Sequence, residues 1–175
     1  MKDLIIGSHL LFARAGEVID GVTVAQEAKP DTTPSSNYTA FPTVSDWEPR
    51  FEMETVKRRA PSPGKYQDRA NIMLSSTIEY AFSLQQFTMT TLAELILGGE
   101  EPSSGVFVPG ARSELLKGWW IVQSYDQNND LISALNIWAE ARVEPYKFGE
   151  NLDDYALILT QLYSSLNTGE ITNLT

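Results

Sequence analysis

The 175-residue chain is about one domain long, enough to bury a sizeable core on the usual surface-to-volume scaling. It has no cysteine and a single histidine, His9, which excludes disulfide staples, thiolate chemistry and the usual zinc and haem ligand sets. Its formal charge is −10, yet Val56 to Ala70 holds five of the 13 Lys and Arg residues and one acid, so that segment carries +4 and the remainder −14. An acidic body disfavours tight nucleic-acid binding, which needs concentrated Lys and Arg, and favours association of the basic segment with other copies of the chain.

No stretch approaches the roughly 18 consecutive apolar residues of a membrane helix, so a soluble protein without a membrane partner is expected. Met1 to Gly16 has the apolar clusters Leu4-Ile5-Ile6 and Leu10-Leu11-Phe12 before a cleavage-like Ala13-Arg14-Ala15. Asp3 offsets Lys2 and Gly7-Ser8-His9 interrupts the run, which favours a first β-strand over a signal peptide. Residues 17–46, rich in Thr, Ser, Pro and Asp, lack a sustained period and read as a long loop or arm with a subunit-contact role.

Phe51–Val56 alternates apolar and acidic residues, as a strand that buries Phe51 and Met53 on one face and presents Glu52 and Glu54 to water on the other. Ser76–Thr88 is its partner, with Ile78, Tyr80, Phe82 and Leu84 on one face. Between them Lys57 to Arg69 surrounds Pro61-Ser62-Pro63-Gly64, which predicts a projecting basic loop over 57–70. Thr91 and Glu94 at capping-box spacing, an apolar face of Leu92, Leu95 and Ile96, and Gly98-Gly99 predict one short helix covering the sheet. A short strand is expected at Gly105–Pro109.

Leu116–Tyr125 has apolar groups on both faces, as a strand buried on both sides does. Asp126–Asp130 links it to Leu131–Val143 in a hairpin. Tyr155–Tyr163 reads as a last strand, although Leu152 to Leu166 also fits a helix; Asn167-Thr168-Gly169 ends either, and 164–175 is a candidate C-terminal arm.

No chemical motif is complete. His9 has no Gly-flanked serine to serve, and acids alternating along a strand are more often a solvated face than a glycosidase pair. Asp126-x-Asn128-x-Asp130 imitates a calcium loop, but Leu131 and Ile137 stand where its Gly and Glu belong, which favours a polar turn. No Gly-rich phosphate cradle is present. Trp119, Trp120 and Trp138 could form a sugar- or base-stacking platform but are more readily core. No catalytic, cofactor or metal residue is assigned.

The ordered run Trp47–Val56, Pro61-Ser62-Pro63-Gly64, Thr77–Thr88, Leu92–Gly99, Lys117-Gly118-Trp119 and Ala134–Arg142 resembles the major tail tube proteins of long-tailed bacteriophages. It is more distantly similar to the tube of the type VI secretion system. The resemblance covers about two-thirds of the chain and rests on order and pattern; Lys29 to Pro42 matches nothing in it. It implies one mainly β domain over 1–175, a β-sandwich or barrel-like tail-tube fold with one packed α-helix. It implies six copies closing into hexameric rings, and rings stacking into a hollow tube for DNA.

The implied protein is structural and no enzyme. Its partners are itself, other phage tail proteins and viral DNA as non-specific passing cargo, in the virion tail after assembly in the host cytoplasm. Carried onto this chain, Glu52, Glu54 and Glu79 are lumen-facing acids, and Lys57, Arg58, Arg59, Lys65 and Arg69 form the ring-stacking loop. An acidic lumen would repel the phosphate backbone and let DNA slide. The alternatives are a tail terminator or neck ring of the same fold, and a secreted β-sandwich carbohydrate-binding module or hydrolase using the tryptophans and carboxylates.

Overall fold

A computed structural model describes residues 8–30, 38–41, 44–84, 110, 115–128, 130–144, 155–166 and 168–173. Its elements in chain order are β1 (Ser8–Arg14), β2 (Val18–Ile19), β3 (Val22–Thr23), β4 (Thr39–Ala40), β5 (Val44–Ser62), β6 (Lys65–Leu84), β7 (Leu116–Tyr125), β8 (Leu131–Val143), β9 (Tyr155–Gln161) and β10 (Glu170–Asn173). The described residues are therefore mainly β, as the alternating pattern predicts. The helix expected at Thr91–Gly99 and the strand expected at Gly105–Pro109 lie outside the described residues.

One antiparallel sheet runs in the order β10-β8-β7-β1-β5-β6-β9, with β4 paired to β1. Because β8 also pairs with β9, from Ala139↔Gln161 to Val143↔Leu157, the path of paired strands returns to β8. β1 joins β5 at the single pair Ser8↔Val44, whereas it follows β7 along its whole length. The expected N-terminal strand thus sits in the middle of the sheet.

Strand alternation then sorts the apolar residues into two layers. Leu10, Phe12, Phe82, Leu84, Trp120 and Ile137 belong to the larger core, where the Phe12 and Trp120 rings stack at 4.2 Å between centroids. Trp119, Ile121 and Trp138 point the other way and pack under Ile19, Val24 and Tyr38. Leu116–Tyr125 is buried on both sides, as its composition predicts, and the hairpin with β8 holds the register Trp119↔Trp138.

Residues 17–30, part of the stretch 17–46 expected as a loop or arm, therefore form a cover over this second layer. Trp119 Nε1 donates to the Ala25 carbonyl at 2.8 Å, and the Lys29 ammonium sits 5.7 Å from the Trp119 ring centroid. The end of the chain is tied to the same cover: Ser164 Oγ donates to the Gln26 carbonyl at 2.6 Å. Beyond it β10 pairs with β8 from Glu170↔Asn136 to Asn173↔Ser133, so this part of the segment expected as an arm over 164–175 is fastened to its own sheet.

At Gly118 the pairing of β1 with β7 leaves no room for a side chain. A Cβ there would fall on the Ala13 carbonyl oxygen and within 2.6 Å of Phe12 Cε2. Both obstacles are fixed, one in the backbone and one in the buried Phe12 ring. Gly118→Ala is expected to destabilise the fold by about 1–3 kcal/mol, the usual cost of forcing a methyl group into a filled core, read as a lower denaturant midpoint.

Candidate functional site

The sequence features that point to assembly converge on β5 and β6, which leave the body together as one long hairpin. Their 19 and 20 residues far exceed an ordinary strand, and at about 3.3 Å per residue β5 spans roughly 60 Å. The basic segment expected as a loop over 57–70 is paired strand: Lys57↔Asn71, Arg58↔Ala70 and Arg59↔Asp68 continue to Ser62↔Lys65. Only Pro63-Gly64 turns the chain. Gly64 has φ 76°, the left-handed value that the residue after Pro needs in a type II turn.

Pro61 interrupts nothing, because an unpaired edge tolerates a residue without an N–H. Among the described residues β5 has no second partner after Val44, and β6 none before Glu79, where pairing with β9 begins. Both edges of the projecting arm therefore offer unsatisfied backbone donors and acceptors to water or to another chain.

Cross-strand partners share a face, so the register places every candidate residue. Trp47↔Phe82, Phe51↔Ile78, Met53↔Ser76 and Thr55↔Met73 lie on the face that continues the core. Glu52↔Thr77, Glu54↔Ser75, Val56↔Ile72 and Arg58↔Ala70 lie on the other, which Arg50↔Glu79 also occupies. The three acids assigned to a lumen are thus on one face. They are not equivalent.

Glu79 is at the root of the arm, where Arg142 Nη2 lies 3.1 Å from its Oε1 and Thr160 Oγ1 donates to it at 3.2 Å. Glu52 is exposed, and Glu54 accepts a 3.2 Å hydrogen bond from Ser75 Oγ. The negative field of the arm therefore comes chiefly from Glu52 and Glu54. Arg142 and Thr160 were not identifiable from spacing, since they reach Glu79 only through the β8–β9–β6 pairing.

The five basic residues also divide. Lys57 Nζ and Arg59 Nε lie 3.5 and 3.4 Å from the Asp68 carboxylate on the core-side face. Arg58, Lys65 and Arg69 make no ion pair with any described residue. Asp68, the lone acid of the basic segment, was the available signal that part of its charge would be internally matched. A register shift between Arg58 and Arg59 leaves Arg69 as the extra residue of a bulge, and another between Glu54 and Thr55 does the same for Leu74.

Among the described residues the other candidate chemistries are not assembled. Trp119, Trp120 and Trp138 are 0 %, 0 % and 4 % exposed, so they present no stacking platform. His9 contacts Tyr125 edge-on at 5.2 Å, within the sheet. Among the described residues no three acidic or histidine side chains are grouped as metal ligands. Burial pushes the Tyr80 phenol up, which keeps it a donor to Gln161 Oε1 at 3.0 Å. No known protein-family model matches the chain, and no curated protein matches it significantly.

The calcium-like sequence forms the β7–β8 turn. Asp126 Oδ1 accepts from the Asn128 and Asp130 backbone N–H groups at 2.8 and 2.9 Å, so its carboxylate is committed to the turn. The Asp130 N–H is the main reason that its pKa lies below the usual carboxylate value, with the Asn128 N–H adding to it. Its contribution to stability is present above the unfolded-state pKa and fades as pH falls through the lower folded value. Asp126→Asn is expected to remove that acid-limb component from a pH series of denaturation midpoints, and millimolar calcium to leave the wild-type midpoint unchanged.

Proposed function

We propose that this chain is the major tail tube subunit of a long-tailed bacteriophage, a structural protein that works by self-assembly. The observation that carries the reading is the β5–β6 arm, which is paired throughout yet exposed from Glu48 to Gly64 and on to Thr77, apart from the half-buried Ala60 and Ser62. A two-stranded hairpin is at best marginally stable alone in water, and long free edges recruit further strands. Copies of the same chain satisfy both needs when their arms pair side by side.

Rotational symmetry makes this pairing regular. In a closed ring each copy offers β5 to one neighbour and β6 to the other, which keeps neighbouring strands antiparallel around the ring and leaves no free edge. A sheet closed in this way fits six copies lining a lumen on a barrel-like β body. The face with Glu52 and Glu54 then turns inward. At the level of Glu52 and Glu54 exposed carboxylates repel DNA phosphates and give no sites for counterion release, while Arg58, on the same face, lies nearer the tip, so the polymer passes without being held.

The arm tip supplies the contact between rings. Arg58, Lys65 and Arg69, free of internal ion pairs among the described residues, meet an acidic surface on the next ring, in keeping with the separation of +4 from −14 along the chain. The tryptophan burial counts against the carbohydrate-binding alternative.

Negative-stain electron microscopy of the purified protein across a concentration series tests the reading. Hollow tubes support it, closed rings that never stack turn it towards a tail terminator or neck ring, and monomers at every concentration refute it. The triple change Arg58→Glu, Lys65→Glu and Arg69→Glu is expected to leave a folded protein whose tube formation needs at least tenfold more protein in a sedimentation assay. Glu52→Gln with Glu54→Gln is expected to form tubes normally and to slow DNA passage; loss of tubes would place those acids in an interface.

A further inference from the structure

We infer that the two faces of the arm have separate roles, and that the face bearing Phe51, Met53 and Met73 seats against a second copy of this chain. This rests on the self-assembly reading and specifies which surface does it. Phe51 pairs with Ile78, which packs on the main core, and Trp47, two pairs further in, stacks on Phe82 at 6.0 Å between centroids. The apolar stripe of the core therefore runs without a break onto the arm. There it loses its cover: Phe51, Met53 and Met73 are 59 %, 55 % and 57 % exposed.

Charge on the two faces is arranged differently. On the Phe51 side the only charged residues that the register places are Lys57, Arg59 and Asp68, which neutralise one another to a single net positive charge within contacts of 3.5 and 3.4 Å. An apolar surface with its few charges internally matched is what the centre of a protein interface requires. The opposite face keeps Glu52 and Glu54 exposed at the same level of the arm. Its one large apolar pair, Val56↔Ile72, is flanked by Glu54 and Arg58 and is not continuous with the core, as scattered surface apolar residues commonly are.

The occupant is a copy of the chain because the electrostatics select it. A weakly positive apolar strip, on an arm that carries +2 from Phe51 to Met73, is attracted to the remainder of another copy at −12, whereas an anionic lipid surface or a nucleic acid would be repelled by that same body. The free backbone edges flanking the strip give another copy's strand a way to dock in register.

The experiment compares wild type with Phe51→Ser/Met53→Ser/Met73→Ser and with Glu52→Gln/Glu54→Gln by sedimentation velocity. These side chains are exposed in the single chain, so all three proteins are expected to share one denaturation midpoint. The serine variant is expected to require at least tenfold more protein to assemble, and the glutamine variant to assemble as wild type does. Normal assembly of the serine variant overturns the inference alone; a wild type that never associates overturns the self-assembly reading and the second-copy occupant with it.

A measurement on unaltered protein guards against a serine variant that misfolds. Brief hydrogen peroxide treatment, which converts a methionine thioether to the sulfoxide with release of water, is read by mass spectrometry above and below the assembly concentration. Met53 and Met73 are expected to oxidise at least fivefold more slowly in the assembled sample. Equal rates in both samples would refute the seating of this face.

Discussion

The pairing of β5 with β6 is the constraint on which the rest depends, because one ladder belongs to two environments. Its inner end lies inside the body, where Trp47 stacks on Phe82 and Val44 pairs with Leu84. Its outer end reaches Ser62↔Lys65 with water on both sides. A hairpin of this length would not hold its shape unaided, so its root must be rigid. Rigidity comes from β9, which pairs with β6 from Glu79 inward, and from Arg142 on β8, whose guanidinium bridges to Glu79 at the point where the arm leaves the sheet.

Charge along the arm follows from that geometry. Near the root an acid is matched across strands; further out Glu52 and Glu54 are left in water, and beyond them the basic residues begin. Exposed ion pairs such as Lys57 and Arg59 with Asp68 add little to stability, typically below about 1 kcal/mol. Their effect is to remove net charge from one face. The bulges at Leu74 and Arg69 act in a similar way on shape, because each adds a residue to β6 alone and twists the outer arm relative to its root. Register is thereby pinned along a stretch whose two-sided exposure would otherwise permit slippage.

Much of this was legible in the sequence. The alternation of Phe51 to Val56, the double burial of Leu116–Tyr125 and the β7–β8 hairpin all follow from side-chain period, which survives in any antiparallel sheet. The paired state of the basic segment does not, because Pro61 and Pro63 have the character of strand breakers in sequence. On an unpaired edge Pro61 costs no ladder hydrogen bond, and Pro63-Gly64 is a turn that joins strands. β10 leaves no trace in the sequence pattern, since Glu170-Ile171-Thr172-Asn173 is too short to show a period; its place is set by the Gly169 N–H on the Asn136 carbonyl at 2.7 Å. Phe51 and Met53 are exposed where the alternation predicts a buried face, because alternation shows which residues share a face but not whether anything covers it.

That distinction bears on how the proposed assembly holds together. Burying a Phe or Met side chain completely contributes roughly 1.5–3 kcal/mol, so three half-exposed residues on an arm supply only a few kcal/mol gross per contact. Immobilising a second copy costs at least as much in translational and rotational freedom. One arm docked on one neighbour is therefore weak, and a chain that worked through such a contact would remain largely monomeric at low concentration. Ring closure changes the balance, since the last copy gains two contacts for one loss of freedom and every arm acquires a strand on each edge. Weak single contacts then make assembly cooperative, with no long-lived open intermediates to expose the edges of β5 and β6 to irregular aggregation. Strong apolar contacts would remove that protection, which gives a physical reason for an arm whose exposed apolar residues, Phe51, Met53 and Met73 on one face with Val56, Tyr66, Ile72 and Leu74 elsewhere along it, are interspersed with charged ones.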